Sequence, residues 1–391
     1  MLFSYGIVPF LLLFITAVSL VATDIYLPSL PSMSDALKCS EDMAQLTVST
    51  FFAGSVVTAI ITGGIIARFG YRSVMLWAVI FFAFTSLLLS LSPNIEFMQV
   101  VRFLQGLSRG TFIVLVYAIV REMFDSETTA KFIGIFGLAA TLVPGFAPVL
   151  GGYIDVTLGW RYNFHAVTLL SAITLFMTWK YFKPAIQVQE SSKTLKQTLQ
   201  DYLHVGTNLQ FLSYAMPPQL LYGVWFCMLT IFPFYFIEVI KMTPDVFGWY
   251  NAVLILVWGA GSYLSRYVFG LIGMEKTILL GLIVSTIGSL GLVVVHYIAP
   301  LSIPAIMTVA CIHLLAYGVL YPPSATKALG IFDQHKGVAS SLNATIMTLF
   351  CGLGALVAGF LDDFSLLPFA IFMCLVHAVC LGLNIFGTKA A

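Results

Sequence analysis

Runs of some twenty apolar residues, separated by short polar clusters, recur along the whole chain. Each is long enough to cross about 30 Å of hydrocarbon as an α-helix. They fall roughly at 6–27, 45–66, 74–92, 97–118, 131–154 and 162–182, then at about 211–237, 246–265, 277–297, 301–321, 338–361 and 366–386. The pattern predicts an all-α membrane protein with twelve transmembrane helices, six in 1–182 and six in 209–391. The interval 183–208 is the one long polar stretch. Its Leu195, Leu199, Tyr202 and Leu203 recur at helical spacing, which predicts a short amphipathic surface helix on a cytoplasmic linker between the halves. The halves echo each other, with Arg68 and Arg72 after the second span and Arg266 and Lys276 after the eighth, as expected of a repeat-built transporter.

Composition strengthens this picture. Of 391 residues 60% are hydrophobic and 9% charged, against about 25% charged in a soluble domain. The formal net charge of +1 leaves no basic face for nucleic acid. The opening MLFSYGIVPF carries no Lys or Arg ahead of its apolar run and no cleavage site follows before Asp24, so the first segment is expected to stay as a span. With both termini cytoplasmic, thirteen Lys and Arg fall on the inner side and three on the outer, a positive-inside bias spread over many loops. A multi-pass membrane protein with both ends in the cytoplasm is expected. The six cysteines show no paired spacing, and neither a metal cluster nor a GxxxxGK[ST] loop is present. The expectation is a monomer with no cofactor, driven by the proton gradient.

Sixteen of the seventeen carboxylates lie in loops or at span ends; the exception is Asp24, four residues before Pro28. An ionisable group within a span costs at least about 2.5 to 3.5 kcal/mol at the centre, so its default reading is functional. Hydration near the surface, or capping of the turn before Pro28, is the other reading. Arg102 enters the fourth span from the same outer side and is the expected partner. If it approaches, the carboxyl stays ionised, and if it swings away, the carboxyl takes a proton. Arg109, seven residues on, lies on nearly the same face about 10 Å deeper, where no carboxylate is expected. A guanidinium there suits an anionic substrate, or serves as a structural group bonded to neighbouring helices. His313 and His377 fall mid-span, as packing groups or as a proton relay. In span seven, Pro217 and Pro218 are expected to interrupt the helix, with Gln219, Tyr222, Trp225 and Phe226 beside the break and His313 of span ten as a substrate-lining set.

Four motifs occur in order at the corresponding spans. They are AlaThrAspIleTyrLeuProSerLeuPro at 22–31; Gly63, Arg68, Gly70 and Arg72 after span two; Arg102, Gln105 and Gly106 in span four; and Pro144, Pro148, Gly151 and Gly152 in span five. In these the chain resembles the major facilitator superfamily, and within it the bicyclomycin and chloramphenicol type of drug:proton antiporters. The resemblance covers nearly the whole chain. It implies two six-helix bundles around a central cavity, alternating access, and a substrate path lined by spans one, four, seven and ten. It associates Asp24 with proton and substrate coupling and Arg102 with the protonation state of that acid. It makes Gly63, Arg68, Gly70 and Arg72 a gating loop and Pro148, Gly151 and Gly152 an antiporter motif.

Three positions depart from the family pattern. Ala67 replaces a usual acidic residue of the gating loop, Tyr71 replaces a usual basic one, and Arg109 replaces a small residue. Arg109 directs the expectation toward an acidic metabolite, such as a carboxylate siderophore, alongside drug-like compounds. The chain is therefore expected to export a small organic molecule in exchange for protons. The alternative is proton-coupled uptake of an acidic nutrient or metal chelate by the same fold. An intramembrane enzyme would need a nucleophile, base or metal cluster at one depth, and the sequence offers none.

Overall fold

The computed structural model describes residues 7–182, 195–332, 335–361 and 364–389. Most of the polar linker, 183–194, and with it Lys183 and Lys193, lies outside the described residues. All regular structure among them is helical. The first span opens with α1 (Ile7–Asp24), passes through one 3₁₀ turn (Leu27–Ser29) and continues as α2 (Leu30–Leu37). Pro28 within the turn has no N–H to offer a preceding carbonyl, so the regular ladder stops at Asp24.

Spans two and three are fused in α3 (Glu41–Ser90), 50 residues long with its bend at Gly70 (φ 76°, ψ 160°), a conformation that side chains strongly disfavour. Gly273 (φ 83°, ψ 161°) repeats this geometry in the second half, between α9 (Pro244–Ile272) and α10 (Met274–Ile298). The remaining helices are α4 (Ile95–Met123), α5 (Ser126–Leu158), α6 (Arg161–Tyr181), α7 (Leu195–Gly206), α8 (Leu209–Phe234), α11 (Ile303–Gly330), α12 (Lys336–Ala358) and α13 (Leu366–Lys389). Ten of the described helices are long and apolar enough to cross a membrane. The bend makes two crossings of α3, and the 21-residue α6 completes the set of twelve. Apolar side chains face outward: Leu271 is 85% exposed and Phe360 81%, which hydrocarbon tolerates and water does not.

Prolines are accommodated within the spans. Helix α5 runs through Pro144 and Pro148, and α8 runs through Pro217 and Pro218. The expected interruption of span seven is therefore corrected. The two prolines withhold their N–H groups from the carbonyls of Ser213 and Tyr214, which loosens the ladder without ending it. The departure from α geometry comes later, as a π-helical turn at Tyr235–Val239.

The chain forms two compact units. One comprises Met1–Ser191 with Met242–Ala252, the other Ser192–Lys241 with Val253–Ala391. In the first, α3 and α4 meet backbone to backbone at Gly54, Gly106 and Gly110. In the second, α8 and α12 meet at Gly223 and Gly354, and α7 is tied to α12 by a Tyr202 to Ser341 hydroxyl contact of 2.9 Å. Within a membrane such close approaches replace the hydrophobic effect as the source of helix association.

Candidate functional site

The approach of α3 to α4 builds the environment of Arg102. A Cβ on Gly106 would strike the carbonyl oxygen of Phe51, and one on Gly54 that of Phe103. Their absence lets the Phe51 ring lie over the Arg102 guanidinium, with Cζ 4.4 Å from the ring centroid. Tyr26 covers the guanidinium at 4.2 Å, and Phe164 lies at 5.9 Å. Nη1 donates to the carbonyl of Ala22 at 3.2 Å and to Oε1 of Gln105 at 2.7 Å. Gln105 is fixed in turn, its amide donating to Ser86 Oγ at 2.8 Å, and Ser86 donates to Phe82 O at 2.6 Å. Arg102 is fully buried, and its Nε and Nη2 have no hydrogen-bond acceptor. It is a caged cation held from several sides.

Asp24, the last residue of α1, is 4% exposed and is the one buried carboxylate among the described residues. No ion pair joins it to Arg102 among those residues. Arg102 reaches the same end of α1, where it bonds the carbonyl of Ala22 two residues before Asp24. In this structure Arg102 is engaged by carbonyl, amide and aromatic partners. Arg109 is 8% exposed and lies over Phe52 at 4.9 Å and Phe51 at 5.7 Å. Span four thus carries two buried cations, each set against aromatic rings, with one buried acid at the end of α1. Capping by Asp24 drops out, because the 3₁₀ turn that follows has no side-chain cap.

Of the expected gating residues, Gly70 supplies the left-handed bend, Arg72 is exposed, and Arg68 stacks on neighbouring Phe69 at 5.4 Å. Nothing lies within 4 Å of where a Cβ on Gly63 would stand, so packing does not require glycine there. The antiporter-motif residues are closely built in. A Cβ on Gly151 would strike Ile25 O, beside Asp24, and one on Gly152 would strike Pro244 O. Pro148 lends its carbonyl side to Gly248, and Pro144 is half-buried one turn earlier. Asn163 donates to both Gly151 O at 3.2 Å and Ser29 Oγ at 2.9 Å, tying α6, α5 and the 3₁₀ turn together.

The expected substrate-lining set of span seven divides. Tyr222 and Phe226 meet edge-on at 5.3 Å, and Tyr222 lies 6.4 Å from Tyr317, which lies 6.3 Å from Trp258. Trp225 sits about 100° away from Phe226 around the helix and is buried. Gln219 donates to Asn343 Oδ1 at 3.0 Å, a link between α8 and α12. His313 bonds through Nδ1 to Ser285 of α10 at 2.8 Å.

Sequence reasoning missed Tyr26, Phe51, Ser86 and Phe164. Tyr26 lay inside a quoted motif, and Gln105 was noted without its role. Phe51 and Phe164 carry no signal in the sequence, because Phe occurs in most of the spans.

Comparison with known proteins decides the family. The model of the Major Facilitator Superfamily matches residues 12–386. The chain belongs to the Major Facilitator Superfamily. This member is 25% identical to the chloramphenicol resistance protein CraA of Acinetobacter baumannii, over 90% of this chain and 85% of that one. It is 23% identical to a bicyclomycin resistance protein homolog of Haemophilus influenzae, over 91% and 90% of the two chains. Its fold is that of solved facilitators. The xylose transporter XylE of E. coli aligns with a TM-score of 0.72 at 15% identity, covering 97% of this chain and 96% of that one. The nucleoside transporter NupG aligns at 0.76 and 11%, covering 97% and 99%. The protein is therefore a multi-pass membrane transporter and not an enzyme.

Proposed function

We propose that this transporter exports a small organic molecule in exchange for protons, with Asp24 as the group that exchanges the proton. The observation that carries the reading is one buried carboxylate at the end of α1, where the buried Arg102 bonds Ala22 O, with a second buried arginine, Arg109, on the same helix as Arg102. A buried charge is stable only when compensated. At a separation of about 6 Å and an effective dielectric near 20, one unit charge changes the energy of another by roughly 3 kcal/mol. A shift of a few ångströms in α1 relative to α4 is enough to change whether Asp24 holds a proton.

The caging of Arg102 makes it the fixed member of the pair. The movable part is α1 at its end, where the regular ladder stops at Asp24 and gives way to the turn at Leu27–Ser29. Gly151 against Ile25 O and Asn163 against Ser29 transmit movement of α5 and α6 to that turn. Each proton that crosses with the membrane potential yields about 2.3 kcal/mol per 100 mV, which drives export without a nucleotide. We place it in the inner membrane with both termini in the cytoplasm, the orientation that the Lys and Arg bias favours.

For the substrate, the drug-resistance relatives favour a drug-like compound of the chloramphenicol or bicyclomycin class. A second reading, an acidic metabolite such as a carboxylate siderophore, rests on charge. Two arginines face one aspartate, so the layer keeps a surplus positive charge even with Asp24 ionised. Expression in a drug-sensitive strain separates the two. Raised resistance to chloramphenicol that Arg109→Ala retains supports the drug reading. Secretion of an acidic metabolite that Arg109→Ala abolishes supports the other. Uptake of either compound against neither outcome overturns export.

A further inference from the structure

Three buried side chains in the second unit form a chain that the reading above does not use. Ser285 Oγ lies 2.8 Å from Nδ1 of His313 and 2.7 Å from Nε2 of His377, and Nδ1 of His377 lies 2.6 Å from the carbonyl of Met373. All three are buried. They share a depth: Ser285 stands eleven residues into a 25-residue helix, His313 ten into one of 28, and His377 eleven into one of 24. Small residues make the meeting possible. Gly281, Ser285 and Gly288 recur at one-turn spacing on α10, and a Cβ on Gly288 would stand 3.0 Å from the backbone nitrogen of His313.

The partners fix the direction of every hydrogen bond. A carbonyl only accepts, so His377 Nδ1 carries a hydrogen, and in the neutral ring Nε2 is then an acceptor. Ser285 has one hydroxyl hydrogen, which goes to that Nε2. Its oxygen therefore accepts from His313 Nδ1–H. What remains is the lone pair on His313 Nε2, which is buried and has no partner. An unpaired acceptor in a low-dielectric interior is unfavourable, and here it stands at the open end of a hydrogen-bonded wire.

We propose that His313, Ser285 and His377 form a proton-transfer unit that takes up one proton at His313 Nε2 and holds the charge on His377. The transfer balances. The incoming proton bonds to His313 Nε2, the Nδ1 proton of His313 passes to Ser285 Oγ, and the hydroxyl proton of Ser285 passes to His377 Nε2. His313 ends neutral with its hydrogen on Nε2, and His377 ends as imidazolium. The charge rests better on His377, where both N–H groups have oxygen acceptors, than on His313, whose Nε2 has none.

The titratable groups on the packed helices include Cys311, Tyr317 and Tyr321 on α11, Cys374 and Cys380 on α13, Tyr214, Tyr222 and Cys227 on α8, and His296 and Tyr297 on α10. The buried hydroxyl of Tyr317 is one turn from His313 and lacks a partner. The charged Glu275 and Lys327 pair with each other at 2.7 Å at the ends of α10 and α11. No carboxylate or cation is buried in this unit among the described residues, so a proton held here is a separate charge from that of Asp24.

The test is ¹⁵N NMR of the full chain with labelled histidine in lipid nanodiscs, titrated toward acid while the fold persists. Signals are assigned with His313→Gln and His377→Gln. The proposal predicts that His313 starts with its hydrogen on Nδ1. It then switches to the Nε2–H tautomer with the same midpoint at which His377 becomes imidazolium. Ser285→Ala separates the two events, and Ser285→Thr, which keeps the hydroxyl, restores them together. Fixed tautomers on both rings until the protein unfolds, an imidazolium on His313 with neutral His377, or coupling that survives Ser285→Ala each overturn it. The assay contains no transported compound and no gradient, so its outcome is independent of the role of Asp24.

Discussion

Arg102 shows how far a single residue can be read from sequence. Its burial within a span was legible, because a charge in an apolar run has few explanations. Its partners were not. The two rings that sandwich it and the Gln105 to Ser86 chain that orients it come from the first span, from α3 and from α4 itself, and depend on packing. A planar guanidinium can stack on Tyr26 and Phe51 while bonding Gln105, and an ammonium cannot. Arg102→Lys is thus expected to lower stability almost as much as Arg102→Ala, by about 3 kcal/mol, since each leaves Gln105 and Ala22 O short of a donor. Tyr26→Leu and Phe51→Leu should each cost about 1 to 2 kcal/mol through the lost cation–π contact. Thermal melting of the purified protein in detergent checks all four, and full stability in Arg102→Lys would remove the stacking argument.

At the scale of elements, helix positions followed from apolar periodicity, while bends and breaks followed from local chemistry less dependably. Gly70 was singled out as part of a loop motif and supplies the turn that folds α3 back on itself. Pro217 and Pro218 were read as a break and are absorbed into a continuous α8, because a membrane interior favours keeping every other backbone bond of the ladder. Glycine was ambiguous in sequence and distinct in structure. Gly106→Ala and Gly151→Ala push a methyl group into a neighbouring carbonyl and are expected to cost about 1 to 3 kcal/mol each. Gly63→Ala meets open space and should change stability by no more than about 0.5 kcal/mol. Gly273→Ala should cost about 1 to 3 kcal/mol through its backbone angles alone. Equal effects at Gly63 and Gly106 in the same melting assay would contradict this account of α3 against α4.

For the whole molecule, the duplicated plan was visible in the sequence as paired basic loops, and it appears in the backbone as the matching bends at Gly70 and Gly273. The direction of insertion rests on the thirteen-to-three bias of Lys and Arg. Fluorescent-protein and alkaline-phosphatase fusions at both ends should place both termini in the cytoplasm, and phosphatase activity from either would reverse the topology. Substrate was the least legible property, since one surplus positive charge admits more than one class of compound. The coupling claim is sharper. In inverted membrane vesicles holding an imposed pH gradient, addition of chloramphenicol is predicted to drain the gradient with the wild-type protein and to leave it standing with Asp24→Asn at equal protein abundance. Drainage at the same rate in Asp24→Asn would contradict the assignment of the transported proton to that carboxyl.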